Sequence, residues 1–389
     1  MYKIRTYNAI SSKGLERFPE DSYQVSSECA DPVGVLLRSQ KLHNEVMPES
    51  VVAVARAGAG TNNIPTADFT DQGIVVFNTP GANANAVKEL IVASLLMGSR
   101  DIYGGMNYVQ GLTEITDSGE MGQLLEKEKK RFAGGEVQGK TLGVIGLGAI
   151  GSMIANLALE LGMDVVGYDP AISVEAAWQL SSNVERMDSI ESLLARSDFI
   201  TLHVPAIPAT KHLINSKTLS IMKSNAKILN FAREEIVSSA DVVEALDNGV
   251  ISGYITDFPA PELLGRKDVL LMPHIGASTA EAEENCAVMA ANQLMDFLEN
   301  GNILNSVNYP HIKMARNGGT RITFTNKNVP KVLGNVLAVL ADSELNVVDM
   351  VNKSRNDIAY NIIDIEGDFD DSLQAKIAEV EGVVHVRLI

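Results

Sequence analysis

Three glycines occupy positions that are typical of a dinucleotide-binding turn. Gly146, Gly148 and Gly151 form a G-x-G-x-x-G pattern between an apolar strand pattern and a helical pattern. Glycine at these positions permits a tight turn and a close approach of the backbone to a pyrophosphate at the helix N-terminus. The alternative is a glycine turn that only packs the helix on the strand. Asp169 closes the next apolar strand, where a carboxylate can bind an adenosine ribose and repel a 2′-phosphate, so the pattern predicts NAD rather than NADP.

Ionisable side chains follow several of the other apolar strands. His274 in LLMPHIGAS and Arg233 in LNFAR each come after a strand pattern, and Glu262 lies in the loop after Asp257. The carboxyl ends of parallel strands line the crevice over a cofactor, so we expect these groups at one edge of a sheet. A base, a cation and an acid that tunes the base are what a hydride transfer from a hydroxy acid requires. Taken singly, each residue has a structural alternative that is the more common one: a hydrogen-bonded His, a surface-paired Arg or a solvated Glu.

The elements that must position these residues alternate between strand and helix patterns. Residues 141–170 predict a strand, a helix and a second strand. Further strands are predicted over residues 199–204, 226–231, 251–258 and 269–272. The predicted fold class is therefore α/β, with a Rossmann-type doubly wound parallel sheet inserted into the chain.

The segments around the inserted sheet predict two further domains. Residues 1–90 predict a smaller, flavodoxin-like lobe, and helical patterns over 85–103 and 277–300 connect it to the inserted unit, with the active site expected in the cleft. The stretch after Asn308 lacks periodicity and predicts a linker. The tail has a β-α-β-β-α-β order, which is ferredoxin-like. The expected domains are a discontinuous substrate-binding lobe (1–90 and 280–310), an NAD-binding domain (91–279) and a tail domain (318–389).

Composition narrows the classes of partner. A formal charge of −17 over 389 residues argues against nucleic acid or an anionic membrane as a partner, since both need a surface excess of Lys and Arg. The two cysteines, Cys29 and Cys286, have no metal-ligand spacing, so we expect structural thiols, no metal and a reducing compartment. No apolar stretch is long enough for a membrane span, and the protein is expected to be cytoplasmic.

Six segments together resemble the D-isomer-specific 2-hydroxyacid dehydrogenases, in the order expected for that family. They are RAGAG, NTPGANANAVKEL, GKTLGVIGLGAIG, HVPAIPAT, LNFAR and MPHIGAS. Within the family, the residues around Arg38 resemble the branch that acts on phosphoglycerate, and the tail resembles an ACT regulatory domain. The resemblance implies NAD-dependent oxidation of 3-phosphoglycerate to 3-phosphohydroxypyruvate, the first step toward serine.

The resemblance also implies a role for each ionisable residue. His274 would be the general acid/base, Glu262 its partner, and Arg233 the group that binds and polarises the carboxylate and carbonyl end of the substrate. Asp257 is the competing acid, but the resemblance assigns it to the nicotinamide amide. Glutamates 234 and 235 follow Arg233 where many relatives have glycines.

Binding residues are likewise carried over from the resemblance. The implied cofactor-binding residues are Gly146, Gly148, Ala149, Ile150, Gly151, Asp169, Thr210, Phe231, Ala232, Asp257, Gly276 and Ala277. The implied substrate-binding residues are Arg38, Lys41, Ala57, Gly58 and Asn83, for a small anionic hydroxy acid. Arg38 would hold the phosphate with help from Lys41, and the alternative is an arginine at a strand end that pairs with surface acids.

The tail suggests regulation by serine as a hypothesis. Asn328 and Asn346 match two serine-binding positions of ACT domains, whereas Asn326 replaces a histidine and Lys331 stands where a glycine usually follows Pro330. A homodimer or homotetramer is expected. Two other functions stay open: a dehydrogenase of glycerate, glyoxylate or lactate, and an NAD-sensing interaction protein like the corepressors that share this fold.

Overall fold

A computed structural model describes residues 1–370 and 372–389 of the chain. It divides the chain into two compact units. Unit 1 comprises Met1–Asn83 and Thr279–Ile389, and unit 2 comprises Ala84–Ser278. Among the described residues, every helix is too short or too polar to span a lipid bilayer.

Unit 1 begins with a five-stranded parallel sheet. Its elements are β1 (Tyr2–Thr6), α1 (Ser12–Leu15), β2 (Tyr23–Ser26), β3 (Gly34–Leu37), β4 (Ala53–Arg56), α2 (Thr66–Asp71) and β5 (Val75–Phe77). The strand order is β2-β1-β3-β4-β5, and all the pairings are parallel. This is the flavodoxin-like order, so the predicted lobe is confirmed. Strands β3 and β5 are buried along their whole length, as expected of a sheet covered on both faces.

Unit 2 is built around a seven-stranded parallel sheet. The elements that form it are β6 (Thr141–Ile145), α6 (Ala149–Glu160), β7 (Asp164–Tyr168), α7 (Val174–Gln179), β8 (Glu185–Arg186), α8 (Ile190–Arg196), β9 (Phe199–Leu202), α9 (Ser216–Leu219), β10 (Lys227–Asn230), α10 (Ser239–Asp247), β11 (Gly253–Thr256) and β12 (Val269–Leu271). The order β12-β11-β10-β9-β6-β7-β8 changes direction between β6 and β9. That switch is the doubly wound arrangement, and it confirms the inserted Rossmann-type sheet.

Three helices precede this sheet, and the first two overlap the range 85–103, for which the sequence pattern predicted a single helix. They are α3 (Ala84–Ser99), α4 (Ile102–Gln110) and α5 (Ser118–Glu128). The single-helix prediction is wrong because Asp101 caps a new helix, its side chain accepting a hydrogen bond from the Gly104 N–H at 2.9 Å. A carboxylate at an N-cap satisfies a backbone donor that a continuous helix would have bonded internally.

The remainder of unit 1 is a long helix followed by the tail sheet. These elements are α11 (Ala280–Asn300), β13 (Thr320–Lys327), α12 (Val332–Asp342), β14 (Asn346–Arg355), β15 (Ile358–Glu366), α13 (Leu373–Ala378) and β16 (Val383–Leu388). The tail strands are antiparallel in the order β14-β15-β13-β16. The β-α-β-β-α-β prediction is therefore confirmed, and β14 is an edge strand.

The tail sheet packs into the same core as α11. Tyr360 of β15 lies among Phe297 and Tyr309, and its hydroxyl donates to the Gly301 carbonyl at 2.9 Å. The segment that the sequence predicted as a linker is buried at four positions, Tyr309, Pro310, Ile312 and Met314, and exposed at its other residues up to Gly319. Arg321 of β13 is completely buried and donates to the backbone carbonyls of Asn300, Met314 and Ala315.

The charge of Arg321 is neutralised by Asp364. The Arg321 Nε and Nη2 atoms donate to the two Asp364 carboxylate oxygens at 2.7 and 2.8 Å. Two parallel bonds of this kind make an arginine–carboxylate pair geometrically specific. Together with the three carbonyl acceptors, the pair ties the tail sheet to the end of α11.

Asp364→Ala should destabilise the protein strongly, because it leaves the buried Arg321 guanidinium without a counter-charge. Removing one partner of a buried pair typically costs about 3–5 kcal/mol. Urea unfolding followed by circular dichroism measures the change. Glu185→Ala is the control, since it removes a carboxylate from the exposed pair with Arg196. If the two variants unfold at the same urea concentration, the pair is not a major contributor to stability.

Candidate active site

The glycine turn after β6 has the geometry that a dinucleotide needs. Gly146 has φ +91°, and a Cβ atom there would lie 2.6 Å from the His203 carbonyl oxygen. A Cβ atom on Gly151 would lie 1.9 Å from the Gly146 carbonyl oxygen, so neither position tolerates a side chain. At Gly148, the N-cap of α6, a Cβ atom would meet no atom within 4 Å, and no side chain caps the helix. The helix N-terminus is thus open to a phosphate group.

Asp169 links the end of β7 to this turn. Its Oδ2 atom accepts the Leu147 N–H at 2.8 Å, and its Oδ1 atom accepts the Ala171 N–H at 2.9 Å. A carboxylate has about four acceptor positions, so two remain for the hydroxyls of a ribose. The predicted Ala149 and Ile150 are the first residues of α6 beside the turn.

Asp257 lies at the end of β11 and is almost completely buried. Its Oδ2 atom accepts the Gly276 N–H at 3.0 Å, whereas its Oδ1 atom is buried without a hydrogen-bond partner. Burial raises the pKa of Asp257, and the Gly276 N–H and the charges of His274 and Arg233 oppose that rise. An unpaired buried acceptor is costly, and a carboxamide donor such as that of nicotinamide would satisfy it.

His274 is held beside Asp257 in an unusual backbone conformation. It has φ +53°, and its N–H donates to the Asp257 carbonyl oxygen at 3.0 Å. The imidazole is exposed, and its ring centre lies 4.9 Å from that of Phe258. Left-handed backbone at a non-glycine residue is uncommon and tends to occur at functional sites.

Arg233 is positioned by a buried amide that the sequence analysis did not single out. Asn230, at the end of β10, donates through Nδ2 to the Arg233 carbonyl at 2.9 Å and accepts the Ala232 N–H at 3.2 Å. The Arg233 guanidinium is exposed and donates to the Ala232 carbonyl at 2.6 Å. In the sequence, the feature that could have indicated this role is that Asn230, an amide residue, occupies the last position of an apolar strand.

Glu262 does not join this group by a direct contact. It lies exposed in a short 3-10 turn, Pro261–Leu263, and the described contacts include no hydrogen bond or ion pair between Glu262 and His274. Its role as the partner of His274 therefore stays a prediction. His203 is a poor alternative base, because burial lowers its pKa to about 3 and its Nε2 atom is already 2.9 Å from the Thr201 hydroxyl.

The other predicted cofactor residues surround these strand ends. Thr210 lies in the loop after β9, where its hydroxyl accepts the Ile207 N–H at 3.0 Å. Phe231 is buried directly after β10, and Ala277 follows the buried Gly276. No group of three or more His, Cys, Asp or Glu residues is arranged to hold a metal ion in the described part of the chain.

Unit 1 carries the predicted substrate residues, four of them after β3 or β4 and Asn83 between β5 and α3. Arg38 follows β3 and is paired with Glu283 of α11 at 2.7 Å, which is the kind of pairing that the sequence left open as an alternative. Lys41 is exposed in the same loop, and Asn83 is half-buried. The two candidate backbone donors are already used within the chain, since Ala57 donates to the Leu37 carbonyl at 2.8 Å and Gly58 to the Arg56 carbonyl at 2.9 Å.

The three asparagines of the tail lie in different environments. Asn326 is buried and accepts a hydrogen bond from Asn361 Nδ2 at 2.8 Å. Asn328 and Asn346 are exposed, at the end of β13 and the start of β14. Lys331 has φ +79°, a conformation that favours glycine, so its backbone matches the residue it replaces.

Gly148→Ala should fold normally but bind NAD at least about tenfold more weakly. The free space around this position allows the methyl group in the folded protein, but the group would stand where the pyrophosphate must approach the backbone. Isothermal titration with NAD, beside a thermal melt, measures both effects. Gly122→Ala, also in open space, is the control. Unchanged NAD affinity in Gly148→Ala would exclude this turn as the pyrophosphate site.

Comparison with known families and structures agrees with this geometry. Residues 105–276 match the family model described as the NAD-binding domain of D-isomer-specific 2-hydroxyacid dehydrogenases. The crystal structure of NAD⁺-bound 3-phosphoglycerate dehydrogenase from Entamoeba histolytica is 26% identical, with a TM-score of 0.61 over 80% of this chain and 99% of that chain.

Similar sequences extend the likeness to nearly the whole chain. D-3-phosphoglycerate dehydrogenase of Methanocaldococcus jannaschii is 36% identical over 78% of this chain, which spans 56% of that longer protein. The enzyme of the same name from Escherichia coli K12 is 31% identical over 386 residues, covering 95% of this chain and 90% of that protein. The chain therefore belongs to the D-3-phosphoglycerate dehydrogenase family of D-isomer-specific 2-hydroxyacid dehydrogenases.

Proposed function

We propose that the chain catalyses the NAD-dependent oxidation of D-3-phosphoglycerate to 3-phosphohydroxypyruvate, the first step toward serine. The observation that carries the proposal is the grouping of Asp257, His274 and Arg233 at the ends of neighbouring strands. The His274 N–H donates to the Asp257 carbonyl at 3.0 Å after β11, and Arg233 follows the adjacent strand β10. An acid/base, a cation and a buried acceptor for the nicotinamide amide are the groups that this oxidation needs. The similar proteins from Methanocaldococcus jannaschii and Escherichia coli are both named D-3-phosphoglycerate dehydrogenase, which supports D-3-phosphoglycerate as the substrate.

Three residues of unit 2 have separate roles in the proposed reaction. The exposed imidazole of His274 accepts the proton of the substrate C2 hydroxyl. Arg233 binds the carboxylate, and its contact strengthens as the C2 oxygen becomes a carbonyl, which is the differential binding that lowers a barrier. Glu262 stabilises the protonated imidazole across the short loop. When bound, NAD supplies the acceptor for the hydride that leaves C2.

The cofactor is held by groups that the fold leaves available. The α6 N-terminus at Gly148 binds the pyrophosphate, Asp169 binds the ribose, and the Asp257 Oδ1 atom accepts the carboxamide N–H. The substrate phosphate is assigned to Arg38 and Lys41. Because the Ala57 and Gly58 N–H groups already donate to carbonyls, Arg233 is the main ligand of the carboxylate in this proposal.

The tail is proposed to bind serine between two copies of the chain. Lys327, beside Asn328, pairs with Ile358 at one end of β15, whereas Asn346 pairs with Glu366 at the other end. Eight residues of strand separate them, roughly 26 Å at about 3.3 Å per residue. One chain therefore cannot bring both asparagines to one serine. Antiparallel pairing of two β14 edge strands would place Asn346 of the partner subunit beside Asn328, in a homodimer or homotetramer.

His274→Ala should lower kcat for D-3-phosphoglycerate by about 10²–10⁴-fold, because the C2 hydroxyl loses its proton acceptor. NADH formation at mildly alkaline pH measures this, and NAD affinity should stay within about twofold of wild type. The control is His311→Ala, which removes another exposed histidine. D-Glycerate and D-lactate are tested beside the phosphorylated acid.

Two other outcomes would replace the proposed function. Turnover only with the unphosphorylated acids would indicate a dehydrogenase of another 2-hydroxy acid on the same catalytic residues. Tight NAD binding without turnover on any of the three acids would indicate the NAD-sensing interaction protein instead.

L-Serine should bind saturably to the full chain, and Asn346→Ala should abolish that binding while leaving NAD affinity unchanged. The reason is that a shared site loses one of its two amide ligands in each copy. Isothermal titration measures binding, sedimentation measures the oligomer, and D-serine is the control ligand. A protein that sediments as a dimer and shows no heat with L-serine would contradict the assignment.

A further inference from the structure

The Arg38–Glu283 ion pair joins a predicted phosphate ligand to the first turn of a helix in the same unit. The Arg38 Nη2 and Glu283 Oε1 atoms are 2.7 Å apart, and the two side chains are 41% and 44% exposed. Glu283 belongs to α11, where Thr279 caps the helix and Glu281 is a second acid in the first turn. The helix dipole stabilises negative side chains in a first helical turn. The Glu283 carboxylate is therefore stabilised on α11 even when it is not paired with Arg38.

The loop that carries Arg38 is fixed through its backbone. Asn8, itself left-handed at φ +65°, accepts the N–H groups of Ser39 and Gln40 at 3.0 and 2.7 Å. The Asn63 side chain donates to the Gln40 carbonyl at 2.7 Å. The Arg38 carbonyl accepts the Arg56 Nε–H at 2.9 Å. These bonds hold the base of the Arg38 side chain in place, so its guanidinium needs no movement of the loop to reach a ligand.

An exposed pair of this kind is weak enough to be displaced. Ion pairs at such exposure contribute about 0.2–1 kcal/mol, which corresponds to about 1.4- to 5-fold in an equilibrium constant. A phosphoryl group carries close to two negative charges at neutral pH and three acceptor oxygens, so it binds an arginine more strongly than one carboxylate does. An anion that binds the Arg38 Nη2 atom must first separate it from Glu283, and one that binds the other N–H groups lies close to the Glu283 carboxylate, which repels it.

We propose that Glu283 competes with the phosphoryl group of the substrate for Arg38 and thereby sets the affinity of the enzyme for phosphorylated hydroxy acids. This inference rests on the proposed function, since it takes Arg38 to be the phosphate ligand. The competition weakens every anion at Arg38 by the same factor, so that only ligands with strong intrinsic contacts fill the site at moderate concentration. A substrate without a phosphoryl group does not use Arg38 and is unaffected.

The test compares Glu283→Gln with Glu281→Gln. Glu283→Gln should lower the KM for D-3-phosphoglycerate and the inhibition constant of inorganic phosphate by the same factor, about 1.4- to 5-fold, with kcat and the KM for NAD unchanged. Glu281→Gln removes the same charge from the same helical turn and should change neither constant. In the Arg38→Ala background, Glu283→Gln should have no further effect, because the arginine for which Glu283 competes is already absent. The double-mutant cycle formed by these variants isolates the competition.

The outcomes separate failure of this inference from failure of the proposed function. If wild type oxidises D-3-phosphoglycerate and Arg38→Ala raises its KM, but Glu283→Gln leaves KM unchanged or acts no differently from Glu281→Gln, the competition is excluded and the function stands. If wild type does not oxidise D-3-phosphoglycerate, the proposed function fails. Titration of inorganic phosphate into wild type and Glu283→Gln then decides the competition by itself, because equal affinities would exclude it and tighter binding to the variant would support it.

Discussion

All strands of each α/β sheet run in one direction, and this constraint decides where chemistry can be placed in the chain. In unit 2 the carboxyl ends of β6, β7, β10 and β11 all open on the same edge of one sheet. The glycine turn, Asp169, Arg233 and Asp257 all reach that edge, although together they span more than a hundred residues of the chain. A sheet with mixed directions would have sent half of these groups to the opposite edge.

Backbone hydrogen bonding then orients the groups that arrive there. Asp257 binds the Gly276 N–H through its carboxylate and the His274 N–H through its carbonyl, so one buried residue fixes the turn that carries the imidazole. Asn230 does the same for the turn that carries Arg233. The exposed side chains of the candidate site can thus be precise in position although they make few contacts of their own, because the buried amide and carboxylate beneath them fix the backbone that carries them.

The sequence predicted the parts of the fold that local patterns encode. Apolar strands ending in Gly, Asp or Arg predicted both parallel sheets, and the tail order was predicted from alternation alone. It did not predict the helix break at Asp101, where one N-cap overrides a continuous apolar pattern. The sequence also predicted a linker after Asn308, because the residues of that segment show no periodicity. In the structure, Tyr309 and Ile312 of the segment are buried. Contacts such as Arg321–Asp364 join residues far apart in the sequence, and an arginine that is fully buried runs against its usual preference for the surface.

The acidic composition of the chain places carboxylates close to the arginines of the candidate site. With 49 acidic residues against 32 Lys and Arg, an anionic substrate finds no attraction in the net charge of the chain. Each candidate anion ligand also has carboxylates close by: Arg38 is paired with Glu283, and Arg233 is followed directly by Glu234 and Glu235. Binding must then depend on short-range contacts of good geometry, which salt screens less than the long-range field. On the proposed assignment of Arg38 and Arg233, the neighbouring acids lower the affinity for every anion, and the two arginines restore it for anions whose shape and charge they match.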